Sequence, residues 1–438
     1  ILKFRFCGYL VPEASMADSF SLPKGGKTGK GRGNVQIKVR GPFTHEILPL
    51  ACERAMKSHL RKLNYLVMKR LLATASAAVI LVLGCTPNAR TGRDTIQYVK
   101  QIATDSSGVF DLVKLYRNTA SRGAIAIIGE PSDCIPVADR FASADDVDNI
   151  DGRPRPDRLP DFSGETIQVY LDDFNAPYAH FLEGTSPDSA DSLRTLAVEN
   201  AIAAIDSAAY SSATGGSRIP KLRAKVIVLA SALSAEYGQF DIDTLFRMAG
   251  CEPLIVSKPE AMFREAFVQG KKDLVVWAPE DVNASLTYQS VFDRVKPEGA
   301  TLSVITPSGA IDIRTELRDL LRKYLSGHPS GKLEAILLDD YGARTDLLRS
   351  ELEHIRMEVT EEDMRFNKAL SGTFIFIEPA RAETSACYSL LRSENLFTHN
   401  IAYPRLRYFQ SEESLDGQFV YVEIGREYYQ SRYVQRND

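Results

Sequence analysis

From residue 124 to residue 377, short uninterrupted apolar runs alternate with longer stretches in which apolar residues recur every three or four positions. The runs lie at 124–128, 166–171, 226–229, 254–256, 274–277, 302–305, 335–338 and 374–377. A run without polar alternation predicts a strand buried on both faces. The periodic stretches predict helices at 191–209, 241–249, 259–269, 286–295, 314–325, 345–358 and 383–394. In the first of these, Leu193, Leu196, Ala197, Ala201, Ala204 and Ile205 share one face. Ser257 and Glu260 are spaced as a capping box, and Gly270 stands where a left-handed C-cap belongs.

Strands alternating with amphipathic helices predict an α/β fold of mainly parallel, doubly wound sheets. The Ser/Gly-rich stretch 211–217 separates two expected Rossmann-like lobes. Lobe one is expected to combine 95–222 with 331–407, and lobe two to span 223–330. The tail 408–438 is rich in aromatics, and Phe419–Ile424 is expected to be a strand added to an edge. The Asp-, Arg- and Pro-rich stretch 145–160 carries no apolar period and reads as a lid or a surface excursion.

Charge divides the chain unevenly. Among its 438 residues the net charge is −4, yet residues 1–84 hold 14 Lys/Arg against 4 Asp/Glu. The remainder is therefore acidic, which argues against a nucleic-acid partner. Within the basic part, Met68-Lys69-Arg70 precedes an uncharged stretch, 71–83, that ends in Gly84-Cys85. This is the charge order of a secretory signal. The run LVLGC at 81–85 resembles the lipobox of bacterial lipoproteins. The resemblance implies cleavage before Cys85 and lipidation of its thiol, with the bilayer as partner. Thr86, by the same resemblance, favours the outer membrane. Residues 1–67 are expected to be an upstream extension absent from the working protein, with Met56 as another start, and 85–94 a tether. Gly26-Lys27-Thr28 lacks the earlier glycine of a phosphate loop, since Ser21 stands there.

Candidate chemistry lies at the ends of expected strands, where open α/β sheets bind ligands. Leu171-Asp172-Asp173-Phe174 is echoed by Leu338-Asp339-Asp340-Tyr341. Adjacent carboxylates favour an ammonium group or a divalent cation, and crowding raises a carboxyl pKa toward acid–base use. They serve equally well as caps or turn residues. No motif requires a cofactor. Two further strand-end loops are expected, one with Asp133 and the other with Ser231 and Tyr237; the residues of these loops serve equally well as caps of the next helix. His399 is a possible base or ligand-orienting group. No GxSxG elbow occurs, no cysteine–histidine cluster has metal spacing, and 143–151 fails the EF-hand pattern.

The βα rhythm and the length after residue 85 resemble type I periplasmic binding proteins, which implies two lobes closing on a small solute. The alternatives are a cell-envelope hydrolase, isomerase or lyase using the strand-end carboxylates, or an interaction lipoprotein without catalysis. Racemases of Asp and Glu also have two α/β lobes, but need a cysteine at a strand end in each. Cys134 and Cys251 are not so placed in the sequence.

Overall fold

The computed structural model describes residues 93–104, 108–118, 121–183, 187–398, 400, 402–415, 417–425 and Tyr429. The signal-like segment, Cys85 and His399 lie outside the described residues. The strands are β1 (Ala124–Gly129), β2 (Thr166–Leu171), β3 (Ala208–Tyr210), β4 (Arg218–Pro220), β5 (Ala224–Leu229), β6 (Ile255–Ser257), β7 (Asp273–Trp277), β8 (Thr301–Ile305), β9 (Leu333–Leu338), β10 (Leu370–Ile377), β11 (Arg405–Glu413) and β12 (Phe419–Ile424). The helices are α1 (Gln97–Thr104), α2 (Val109–Lys114), α3 (Pro131–Ser143), α4 (Pro187–Ile205), α5 (Ala232–Met248), α6 (Lys258–Val268), α7 (Glu280–Ala284), α8 (Thr287–Val295), α9 (Ile313–Gly327), α10 (Thr345–Arg356), α11 (Glu361–Ala369) and α12 (Pro379–Ser393).

The fold is α/β, with two sheets. The first has the order β4-β3-β12-β11-β2-β1-β5-β6, and the second the order β10-β9-β7-β8. The second sheet is parallel throughout. In the first, only the β11–β12 and β3–β4 pairs are antiparallel. Strands β1 and β5 are buried along their whole length, as their apolar runs demand.

The period of two in β1 sorts its side chains into different cores. Ile125 and Ile127 join a core with Phe141 of α3, Phe263 of α6 and Leu391 of α12. Ala126 and Ile128 face Ala197 and Ala201 of α4 and Phe246 of α5. The first of these cores also takes in Leu274 and Val276 of β7 and Leu337 of β9, so both sheets contribute to it. A third core lies on the other face of the second sheet, where Leu317, Leu320, Leu321 and Tyr324 of α9 pack on Val275 and Ile336.

Helices α4 and α5 approach closely enough that position 238 cannot carry a side chain. A Cβ built on Gly238 would lie 2.1 Å from the Cβ of Ala197. Buried ion pairs tie the centre of the first sheet and its covering helices together. Lys225 Nζ lies 2.6 Å from Glu165 and also donates to the carbonyls of Ser121 and Leu396. Arg194 donates through Nε to Asp241 at 2.7 Å, and Asp241 also accepts the Ile96 amide.

The chain passes from the first sheet to the second through α6 and returns through α12, and these two helices pack on each other. The lobe boundaries therefore differ from those expected. Strands β5 and β6 pair with β1 and with each other, so 224–257 belongs to the first sheet. Strands β9 and β10 pair within the second. Long-range pairing decides membership, and a local apolar period carries no information on it.

Three local expectations also change. Of the two readings of 231–238, the helix start holds and the loop does not: Ser231 is the N-cap of α5, and Tyr237 lies inside that helix. Pro131 occupies the first turn of α3, which makes Asp133 a first-turn residue instead of a loop residue. Strand β12 is interior, between β11 and β3, and the edges are β4 and β6. Gly270 does adopt the left-handed conformation, at φ 73°. Ser257 caps α6 without the expected side-chain bond.

Candidate active site between the two sheets

The carboxyl ends of β1, β5, β6, β7 and β9 converge on one pocket of about 220 Å³. Its walls carry Glu130, Asp133, Ser231, Lys258, Asp339 and Tyr341, with Asp281 and Asp340 also lining it. Each position follows from one rule of the fold: the residue after a parallel strand, or in the first turn of the next helix, is delivered to the strand's carboxyl end.

Lys258 is the centre of the site. It is 2% exposed and its Nζ lies 2.8 Å from Asp339 Oδ1 and 3.7 Å from Asp133 Oδ1. The same ammonium sits 4.2 Å from the centroid of the Tyr341 ring, within cation–π range. Burial alone would lower the pKa of Lys258. The carboxylates of Asp339 and Asp133 outweigh it and hold the ammonium above its ordinary range. Asp339 also accepts a hydrogen bond from the Tyr288 hydroxyl, whose own pKa burial and Asp339 push far up. The cation favoured by the paired carboxylates is therefore supplied, at Asp339, by the chain itself.

Asp133 behaves differently. Burial pushes its carboxyl up to about 7, against the opposing pull of Lys258. Glu130, Asp339 and Asp340 raise it further. Glu130 is likewise raised, again by burial first, although it accepts the Tyr178 amide at 2.9 Å. Behind Lys258 lies Glu383 of α12, fully buried, whose pKa burial drives well above the ordinary carboxyl range. The Tyr341 hydroxyl oxygen is 2.8 Å from Glu383 Oε2 and 2.8 Å from the Ala230 carbonyl oxygen.

The two Asp-Asp pairs are not equivalent. Asp172 is fully buried and lies outside the pocket, in a network of neutral donors. Asn175, Tyr178, Asn200 and Ser411 donate to it at 2.7–2.9 Å. Asp173 accepts from Gln410 at 3.2 Å. Only Asp339 and Asp340 reach the pocket, and Asp340 closes a turn by accepting the Gly342 amide. Ser231 lines the pocket, whereas Tyr237 lies under the Arg93 guanidinium, 5.1 Å from ring centroid to charge.

Glu130, Lys258, Asp281, Tyr288, Tyr341 and Glu383 complete the candidate site and were not singled out as site residues in the sequence. Lys258 follows a strand directly, and that position was the available signal, masked by the capping pattern around it. No group of three or more His, Cys, Asp or Glu among the described residues could hold a metal ion. Cys134, Cys251 and Cys387 are buried free thiols outside the pocket. Cys134 donates toward the Tyr170 carbonyl, and burial raises its pKa. No helix among the described residues is long and apolar enough to cross a membrane.

No protein-family model matches this chain, and no curated protein does. Among solved structures it is similar to the glutamate racemase of Francisella tularensis in complex with D-glutamate, at 15% identity and a TM-score of 0.42, covering 72% of this chain and 94% of that one. It is similar to a glutamate racemase of Bacillus anthracis at 14% identity and a TM-score of 0.40, covering 67% and 90%. The aspartate racemase of Picrophilus torridus follows at 12% identity and a TM-score of 0.32, covering 62% and 95%. These similar structures are racemases, not the periplasmic binding proteins that the sequence resembles in rhythm, and the scores are too low to bear on substrate or reaction.

Proposed function

We propose that the chain is an enzyme of the isomerase or lyase kind, acting by proton transfer on a small substrate in the pocket between the two sheets. One observation carries this reading: Asp133 and Asp339, both on the pocket wall, flank the buried Lys258 ammonium at 3.7 and 2.8 Å, and burial raises the Asp133 carboxyl toward neutrality. A carboxyl near neutrality can both give and take a proton at working pH, which is where general acid–base catalysis is most effective. Lys258 supplies a fixed positive charge for an anion developing on the substrate. Asp281 and Asp340 add negative charge to the wall, which suits a substrate bearing an amine.

The test is hydrogen exchange. The full chain, incubated in deuterated buffer with a panel of L- and D-amino acids and small amines, should incorporate deuterium at the carbon next to nitrogen, read by NMR. Asp133→Asn should abolish it. A ligand that raises the melting temperature without any exchange would restore solute binding, and a panel with neither effect would remove the small-molecule reading.

We also propose that Cys85 is the lipid anchor, because a positive start, an uncharged core and LVLGC occur in order at 68–85. Mass spectrometry of the membrane fraction from a bacterial host should find a diacylglyceryl adduct on Cys85, absent from Cys85→Ala.

A further inference from the structure

Glu383 and Tyr341 pose a question of proton number. The Tyr341 hydroxyl has one hydrogen, yet two acceptors lie at 2.8 Å from its oxygen: the Ala230 carbonyl and Glu383 Oε2. The other carboxyl oxygen, Glu383 Oε1, is buried and has no hydrogen-bond partner. An ionised carboxylate with one bare oxygen in the interior is far more costly than a neutral carboxyl in the same place. One extra proton resolves both difficulties. With a hydrogen on Oε2, Glu383 donates to Tyr341, Tyr341 donates to Ala230, and the bare Oε1 is an uncharged carbonyl.

We infer that Glu383 is a permanently neutral acid and a positioning residue, whose O–H holds the Tyr341 ring beneath the Lys258 ammonium. The activity of the site as proposed above supplies the purpose of this arrangement, and the inference rests on that reading only in this respect. The groups that face Glu383 are Lys258 on α6, Asp133 and Cys134 on α3, Asp339 and Tyr341 after β9, Tyr288 on α8 and Cys387 on its own helix. Lys258 is the single cation in this set, against two carboxyl groups, Asp133 and Asp339. Burial acts on Glu383 in the same direction as the donor count.

The consequence is a site whose charge does not change when Glu383 does. If Glu383 is already neutral, Glu383→Gln replaces one neutral donor by another, and the titration of Asp133 stays where it is. If Glu383 is ionised, the same substitution removes a nearby negative charge and the Asp133 midpoint falls.

The experiment combines two readouts on the full chain, neither of which needs turnover. Infrared difference spectra at about pH 9, where a carboxyl of pKa near 7 is ionised, should show a protonated-carboxyl stretch in Asp133→Asn that vanishes when Glu383→Gln is added. Carbon-13 NMR of Asp133 should give the same midpoint in Glu383→Gln as in the parent. Glu383→Ala, which offers no donor, should melt several degrees lower than Glu383→Gln. No carboxyl band, or a lower Asp133 midpoint in Glu383→Gln, overturns the inference. Because these signals are independent of substrate, failure to find a reaction would count against the proposed function alone.

Discussion

Lys258 Nζ lies 2.8 Å from Asp339 Oδ1, although the two residues end strands of different sheets. Lys258 follows β6 and Asp339 follows β9, so this buried pair joins the sheets at the point where the pocket forms. Breaking it from one side leaves the other charge buried. Lys258→Met should therefore destabilise the fold by about 3–5 kcal/mol, because the carboxylate of Asp339 loses its cation in the interior. Adding Asp339→Leu and Tyr288→Phe should recover most of that loss, since apolar groups of similar volume replace the whole buried unit. Urea unfolding of the single and combined variants is the measurement. Equal stability of Lys258→Met and the parent would show that the pair is not buried in solution.

Asp133 sets a pH dependence whose sign follows from its raised pKa. The folded state binds its proton more tightly than the unfolded chain, so folding is favoured while the group is protonated. The contribution is whole below the ordinary carboxyl value and disappears as pH climbs through about 7. Stability should fall over that window by up to a few kcal/mol, as each pKa unit is worth about 1.4 kcal/mol. In Asp133→Asn the fall should be smaller. Melting temperatures taken across the window for both proteins test this directly, and identical slopes would place the near-neutral group elsewhere.

Gly238 reads in the sequence as a loop residue, yet it lies inside α5, and its missing Cβ is what lets that helix lie against Ala197. Gly238→Ala gains helix propensity and loses the close approach. The second effect should win, with a net loss of about 1–3 kcal/mol from overpacking. Thermal unfolding would decide it; a stabilised variant would mean that the two helices part easily.

Asp172 offers the contrasting experiment to Asp339. Four neutral donors converge on it, and hydrogen bonds to a charged group are worth about 1.5–3 kcal/mol each in mutational series. Asp172→Asn should lower stability by a comparable amount while leaving any deuterium exchange in the pocket intact, as the residue does not line it. Loss of exchange without loss of stability would move the active site toward β2.

Most of the strands and helices were legible as apolar period, because burial on two faces or on one stripe leaves a direct trace in composition. The division between sheets was not, since β5 joins β1 and β9 joins β7 through pairing between residues far apart in sequence. The whole of α3 and the first half of α5 were missed because Pro131, Ser231 and Gly238 carry loop-like signals that also suit helix starts and close packing. Of the site, Asp133, Ser231, Asp339 and Asp340 were visible as strand-end residues. Asp172 shared the same signal and turned out to be structural. Glu383 was invisible: an acid on a predicted helix looks like a solvated face until the tertiary fold covers it.

The two helices that carry the chain between the sheets have a second meaning. Helix α6 begins with Lys258, and α12 brings Glu383 in its first turns, so the two connections between the sheets also carry the buried cation and the buried acid of the site. A substitution that shifts either helix therefore acts on the packing between the sheets and on the pocket at once.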